Sequence, residues 1–278
     1  MDWNHRDAFG TERPICGMIH LPALPGSPGY GGSREAIRTR ALEDAAALEA
    51  GGVDGIVVEN FGDSPFYPDE VPTHTVAEMA ALVTTITSAV DVPVGVNVLR
   101  NDAEAALSVA AAAGASFVRV NVHVGAATTD QGIVEGRAHE TVRLRDRLEA
   151  DVAILADVDV KHATPLGEAG LAQTALETAV RGRADGLIVS GAGTGQTTSL
   201  EDLERVVEAV STVDREVAVP VPVFVGSGVT PESIDDAFAV GADGAIVGTT
   251  LKEGGETTNP VSRERVEALM EAARTAET

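Results

Sequence analysis

The sequence predicts a single closed (β/α)8 barrel, a TIM barrel, spanning residues 1–278 as one domain. Three observations predict it. First, one short phrase recurs, as GGVDGIVVEN at 51–60, AGASFVRVNV at 113–122, RADGLIVSG at 183–191 and GADGAIVGTT at 241–250. Each copy is a small-residue turn followed by a β-branched run, and each follows an Ala/Glu-rich stretch of helical period. Second, filling the intervals gives eight such units in strict alternation, with strands that are almost continuously apolar, the mark of a parallel sheet covered by helices. Third, no Pro/Gly/Ser-rich linker or shift in composition divides the chain. An open, doubly wound sheet is the competing architecture, and it lacks its usual GxGxxG turn after the first strand.

The strands are expected at 14–21, 53–60, 93–99, 117–124, 153–161, 185–190, 222–227 and 243–248. Helices follow at about 33–50, 75–90, 101–113, 137–150, 168–182, 199–210, 230–240 and 261–274. Strand one closes on His20 and runs into the long loop PALPGSPGYGG; strand two closes on Glu59 and runs into FGDSPFYPDEVPTH. Long loops at one rim tend to carry function. Strand three closes on Asn97, and Asn101 before DAEAAL marks the next helix start. Strand four alternates Arg119, Asn121 and His123 with Val118, Val120 and Val122, so the valines should face the helices. By the same alternation strand five points Asp157, Asp159 and Lys161 inward. Strand six closes on Ser190, and Ser199 with Asp202 opens the helix after it. Strand seven closes on Ser227, followed by Thr230 with Pro231 as a helix start. Strand eight runs into GTTLKEGG.

Composition narrows the function. At 44% hydrophobic and 3% aromatic residues, the core is Ala, Val, Leu and Ile packing. The 43 acidic residues against 20 basic ones give a net charge of −23, spread along the chain. Such a surface is hydrated and resists aggregation. It disfavours nucleic acid, whose phosphates need a basic stripe, and anionic lipid. Only two basic residues are lysines, Lys161 and Lys252; with the acidity, this suggests adaptation to a salt-rich cytoplasm. The one cysteine, Cys16, sits in an apolar run and reads as a buried structural thiol. No apolar stretch approaches the roughly 18 residues of a spanning helix, and the polar start has no secretory pattern, so a cytoplasmic location without integral membrane association is expected. His5, His74 and His139 are expected at the surface.

In such barrels the active site lies where the strands end. His20, Glu59, Asn97, Asn121, His123, Asp159 and Lys161 should therefore converge on one bowl, with acid/base groups, an amine and amides for an oxygen-rich substrate. Arg119 and Asp157 lie deeper and read as a buried ion pair that orients their neighbours. Three roles for Lys161 are open: a Schiff-base nucleophile, an ammonium clamp on a carbonyl, enolate or phosphate, and a salt bridge to Asp159. The two nearby acids favour the clamp, because they hold the amine in its charged form. Glu59, Asp157 and Asp159 would be the ligands of a divalent ion such as Mg²⁺, although no tight ligand spacing is present. The glycine-rich turns SGAGTGQTTS, GSGVTPE and GTTLKEGG make a second constellation. Backbone N–H groups there, with a helix N-terminus, would bind phosphate through Ser190, Gly191, Gly226, Ser227, Gly228, Gly248 and Thr249, with Lys252 adding positive charge.

The motifs GMIHLPALPGSP at 17–28, DGIVVENFGDSPF at 54–66, VRVNVHVGA at 118–126, ADVDVKHA at 156–163, DGLIVSGAGTG at 185–195 and PVFVGSGVT at 222–230 together resemble the BtpA/SgcQ family. The resemblance runs over nearly the whole chain and implies a barrel of the phosphate-binding type. The family's name reflects a role in photosystem I biogenesis or stability in cyanobacteria, where the protein lies peripherally on thylakoid membranes. Other members occur in non-photosynthetic bacteria and archaea, some near sugar-metabolism genes. The acidic surface here looks like a haloarchaeal form. Two functions stay open: an enzyme acting on a small phosphorylated sugar or related metabolite by aldol cleavage or isomerisation, and a non-catalytic assembly or stability factor. A homo-oligomer is expected, as for many barrels.

Overall fold

The computed structural model describes residues 3–159, 163–191, 197–211 and 221–275. Its strands, in chain order, are β1 (Ile15–His20), β2 (Gly55–Glu59), β3 (Val94–Asn97), β4 (Phe117–Val120), β5 (Ala126–Thr129), β6 (Gly132–Glu135), β7 (Ala153–Asp159), β8 (Thr164–Pro165), β9 (Gly186–Val189), β10 (Val223–Val225) and β11 (Gly244–Val247). The helices are α1 (His5–Phe9), α2 (Arg34–Gly51), α3 (Thr73–Thr87), α4 (Ala103–Ala113), α5 (Ala138–Arg147), α6 (Leu171–Leu176), α7 (Leu200–Ser211), α8 (Ile234–Ala239) and α9 (Arg263–Thr275). Eight parallel strands close a barrel in the order β1-β11-β10-β9-β7-β4-β3-β2. These are the eight strands the sequence predicts.

Period-two alternation fills the lumen in tiers. Cys16, Met18, Val57, Phe117, Ala153, Leu155, Ile188, Phe224 and Ile246 are buried together in one cluster inside the barrel. Gly95 and Gly244 admit the rings, since a Cβ at either would collide with Phe117 or Phe224. Toward the C-terminal ends of β1 to β4, His20, Glu59, Asn97 and Arg119 stand in direct register on four neighbouring strands. The outward valines and isoleucines join the main core beneath the helices. The thiol of Cys16 is fully buried, and burial pushes its pKa up.

Four features differ from the sequence expectation. The polar N-terminus forms α1, which plugs the lower end of the barrel: Phe9 meets Phe117 edge-on at 5.5 Å and Phe224 at 6.4 Å. His5 is buried there rather than exposed. Strand four ends at Val120, and the chain turns out into the hairpin β5–β6, which with β8 forms a three-stranded sheet beside the barrel mouth. The cap of α4 is Asp102, which accepts from the Ala105 N–H at 2.8 Å, while Asn101 bonds the Val122 backbone instead. Finally, α8 starts at Ile234, because Ser233 Oγ accepts the Thr230 N–H and holds a turn where the helix was expected to begin.

Candidate active site

The C-terminal ends of the strands surround a cavity of about 580 Å³, of a size suited to a small metabolite. Of the residues singled out in the sequence, His20, Glu59, Arg119, Asn121, Gly226, Ser227, Gly228, Thr230, Gly248 and Thr249 line it. His20 and Glu59 face each other on β1 and β2, with Nε2 and Oε1 3.9 Å apart. The Thr257 carbonyl lies 3.2 Å from His20 Nδ1 and can only accept, so Nδ1 carries the hydrogen of the neutral ring and Nε2 is the basic nitrogen. The ring leans on Phe61 at 4.8 Å between centroids. Gly248 leaves it room, as a Cβ there would sit 2.9 Å from the ring.

Beneath this pair lies a buried polar network, in which Asn97 Oδ1 is left without a hydrogen-bond partner among the described residues. Arg119 grips Asp157 with two hydrogen bonds, of 3.0 and 2.9 Å, and both side chains are buried. Burial opposes the guanidinium charge, but the Asp157 carboxylate outweighs it and holds the Arg119 pKa above its ordinary value. Asn121 Nδ2 donates to Asp157 Oδ2 at 2.9 Å and Ser190 Oγ to Oδ1 at 3.0 Å. Asn97 donates to the Arg119 carbonyl and to Asn121 Oδ1. The ion pair is therefore the predicted one, and it fixes the Asn121 amide at the cavity floor. Asn97 and Ser190 belong to this supporting layer and do not line the cavity, nor does Gly191.

Several sequence-predicted residues fall elsewhere. Because β4 ends at Val120, alternation no longer governs His123; its ring is buried and its Nε2–H donates to the Gly182 carbonyl at 2.9 Å, away from the mouth. Burial holds that imidazole below its ordinary pKa. A register shift between Asp157 and Asp159 interrupts the alternation of β7. Lys161, the side chain of Asp159 and residues 192–196 lie outside the described residues. Lys252 does not join the glycine turns: it is wholly buried behind β1, donating to the Met18 carbonyl at 2.8 Å, with Asp44 at 3.8 Å. Burial, opposed by Asp44, lowers its pKa to about 8. Among the described residues no three metal-ligating side chains converge, and Asp157 is engaged with Arg119, Asn121 and Ser190.

Two cations escaped the sequence reading. Arg100, in the loop after β3, and Arg265, on α9, both line the cavity. Arg265 Nε donates to the Thr250 carbonyl at 2.6 Å, which places its guanidinium beside the turn after β11. Neither residue ends a strand, so strand periodicity could not find them. Asn60 and Asp63 were also unforeseen. Asp63 accepts from the Leu24 N–H, Ser27 and Asn60, and Asn60 Oδ1 accepts from the Leu99 N–H, so the loops after β1, β2 and β3 are tied together at the rim.

A closed parallel (β/α)8 barrel with an ionisable, cation-bearing mouth defines the class. Within that class the chain belongs to the BtpA family, whose model matches residues 11–275. It is 46% identical over 264 residues to the "Photosystem I biogenesis protein BtpA" of a Synechocystis strain, covering 95% of this chain and 89% of that protein. It is 33% identical over 275 residues to the "Putative sgc region protein SgcQ" of Escherichia coli K12, covering 98% and 97%. Among solved structures, a thiamine phosphate pyrophosphorylase from Pyrococcus furiosus superposes with a TM-score of 0.58 at 15% identity, covering 99% of this chain and 100% of that one. That likeness is one of fold. Among the described residues no helix is long and apolar enough to cross a membrane.

Proposed function

We propose that the protein is an enzyme acting on a small phosphorylated sugar or related metabolite, by aldol cleavage or isomerisation. The observation that carries this reading is the meeting, in one cavity, of the His20–Glu59 pair with the glycine turns after β10 and β11. Both reactions move a proton beside a carbonyl, which needs a positioned base and a donor to the developing oxyanion. His20 Nε2 or Glu59 serves as the base and the Asn121 amide as a donor. Lys161 follows β7 in sequence and is proposed as a charged clamp. The phosphate is held by the turn 226–230, where Gly228 adopts φ 63°, and by Gly248–Thr250. The short α8 does not contribute, so the backbone of the two turns and the hydroxyls of Ser227 and Thr249 serve instead. The acidic, lysine-poor chain is read as a halophilic, haloarchaeal form working in the cytoplasm as a homo-oligomer.

The test is a thermal-shift screen of sugar phosphates with and without Mg²⁺. A ligand at 100 times its Kd adds about 2.7 kcal/mol, roughly 5 °C or more in a chain of this size. That gain should vanish in Ser227→Asp, which places a carboxylate where phosphate is held. Lys161→Met should abolish turnover without unfolding the chain; retained turnover removes Lys161 from the mechanism. The second reading, an assembly or stability factor, draws on the name of the Synechocystis relative. A panel with no stabilised condition would favour it.

A further inference from the structure

Between β11 and α9 the chain makes an excursion with a closed neck. Lys252 and Val261 form an antiparallel bridge there. The Glu253 N–H donates to the Pro260 carbonyl at 2.8 Å and the Ser262 N–H to the Leu251 carbonyl at 2.9 Å. The neck is also fixed to the barrel and to α2. Lys252 Nζ donates to the Met18 carbonyl on β1 at 2.8 Å, and Asp44 Oδ1 on α2 accepts the Val261 N–H at 2.8 Å. Lys252 and Asp44 are both buried, so this anchor fixes geometry at a cost in desolvation.

At the far end, Gly254 and Gly255 take φ values of 63° and 72°, which suit glycine and reverse the chain. Thr257 then meets two residues of the site. Its carbonyl lies 3.2 Å from His20 Nδ1, and its hydroxyl lies 2.8 Å from that of Thr249. His20 and Thr249 line the cavity, whereas Thr257 acts on it only through them.

A neutral imidazole carries one hydrogen, and at His20 two acceptors compete for it. Glu59 would draw the hydrogen to Nε2, but its Oε1 is 3.9 Å away, outside hydrogen-bond distance. The Thr257 carbonyl draws it to Nδ1 and is within that distance. Only the second arrangement leaves the Nε2 lone pair beside Glu59 as a base. We infer that residues 252–261 form a positioning arm with Thr257 as its positioning residue: the Thr257 carbonyl keeps the His20 hydrogen on Nδ1, and the hydroxyl contact with Thr249 keeps that carbonyl in place. His20 acting as the base rests on the preceding section; the position of its hydrogen does not.

Long-range ¹H–¹⁵N NMR of the side chains reads the tautomer, with His20→Gln assigning the signal among the six histidines. At about pH 8.5, where an ordinary imidazole is neutral, wild-type His20 should be mainly the Nδ1–H form. Thr257→Val keeps the carbonyl and removes the hydroxyl. It should raise the ratio of Nε2–H to Nδ1–H by about threefold or more, as expected for one hydrogen bond; Thr257→Ser should stay within about twofold of the wild type. Replacing residues 253–260 by Gly-Gly, a connection short enough for an antiparallel pair, should make Nε2–H the major form. A wild-type His20 that is mainly Nε2–H overturns the positioning role, as does a ratio unmoved by Thr257→Val or by the shortened loop. The wild-type and Thr257→Val spectra decide the matter even if the shortened chain does not fold. If the ratio moves as stated while the screen of sugar phosphates shows no stabilised condition, the reading of the preceding section fails and the positioning of His20 stands.

Discussion

At the scale of single residues, two histidines that look alike in sequence have been put to different work. His20 ends a strand and looks into the cavity beside Glu59; His123 comes three residues after its strand has ended and is spent on the Gly182 carbonyl. His20→Gln should lower turnover with little change in Tm. His123→Gln should do the reverse, costing about 1–2 kcal/mol for a buried hydrogen bond while sparing turnover; activity assays with thermal denaturation of both variants separate the roles. Lys252 makes a pH prediction. Its folded pKa of about 8 lies below the ordinary 10.5, so between those values the unfolded chain holds the extra proton. Stability attributable to Lys252 should therefore rise with pH across that window, by up to about 1.4 kcal/mol per unit, and be level below it. Urea titrations from pH 7 to 10.5 should show the slope in the wild type and its loss in Lys252→Met.

At the scale of elements, the eight strands and the inward polar residues late in β1 to β4 were legible because a strand in a barrel obeys one period and one inside. His20, Glu59, Asn97 and Arg119 follow from that rule alone. The rule gives out where the strand does. It misplaced His123, and it could not reach Arg100 or Arg265, which sit on a loop and on the last helix and are brought to the mouth by closure of the barrel. The plug α1 was illegible for a related reason: five residues carry no readable period, and Phe9 acquires its meaning only from the Phe117 and Phe224 rings it meets. Phe9→Ala should leave a cavity at the lower end of the lumen and cost about 3–5 kcal/mol. Since the mouth lies at the opposite end, ligand affinity in calorimetric titration should stay unchanged while the urea midpoint falls.

At the scale of the whole molecule, the net charge of −23 sets the background for the site. Self-repulsion among surface carboxylates is relieved by salt, because screening shortens to about 3 Å at 1 M. Tm should climb as KCl is raised from 0.1 to about 2 M, and a Tm that is flat or falls would contradict the proposed salt adaptation. Against that background the barrel mouth carries Arg100 and Arg265 beside Glu59. The central claim is that this mouth binds a phosphorylated small molecule. ³¹P NMR titration of fructose 1,6-bisphosphate with the protein tests it most directly. A phosphate resonance that shifts or broadens with the wild type and is restored to its free position with Ser227→Asp is the predicted result; a resonance indifferent to the wild-type protein would contradict the account.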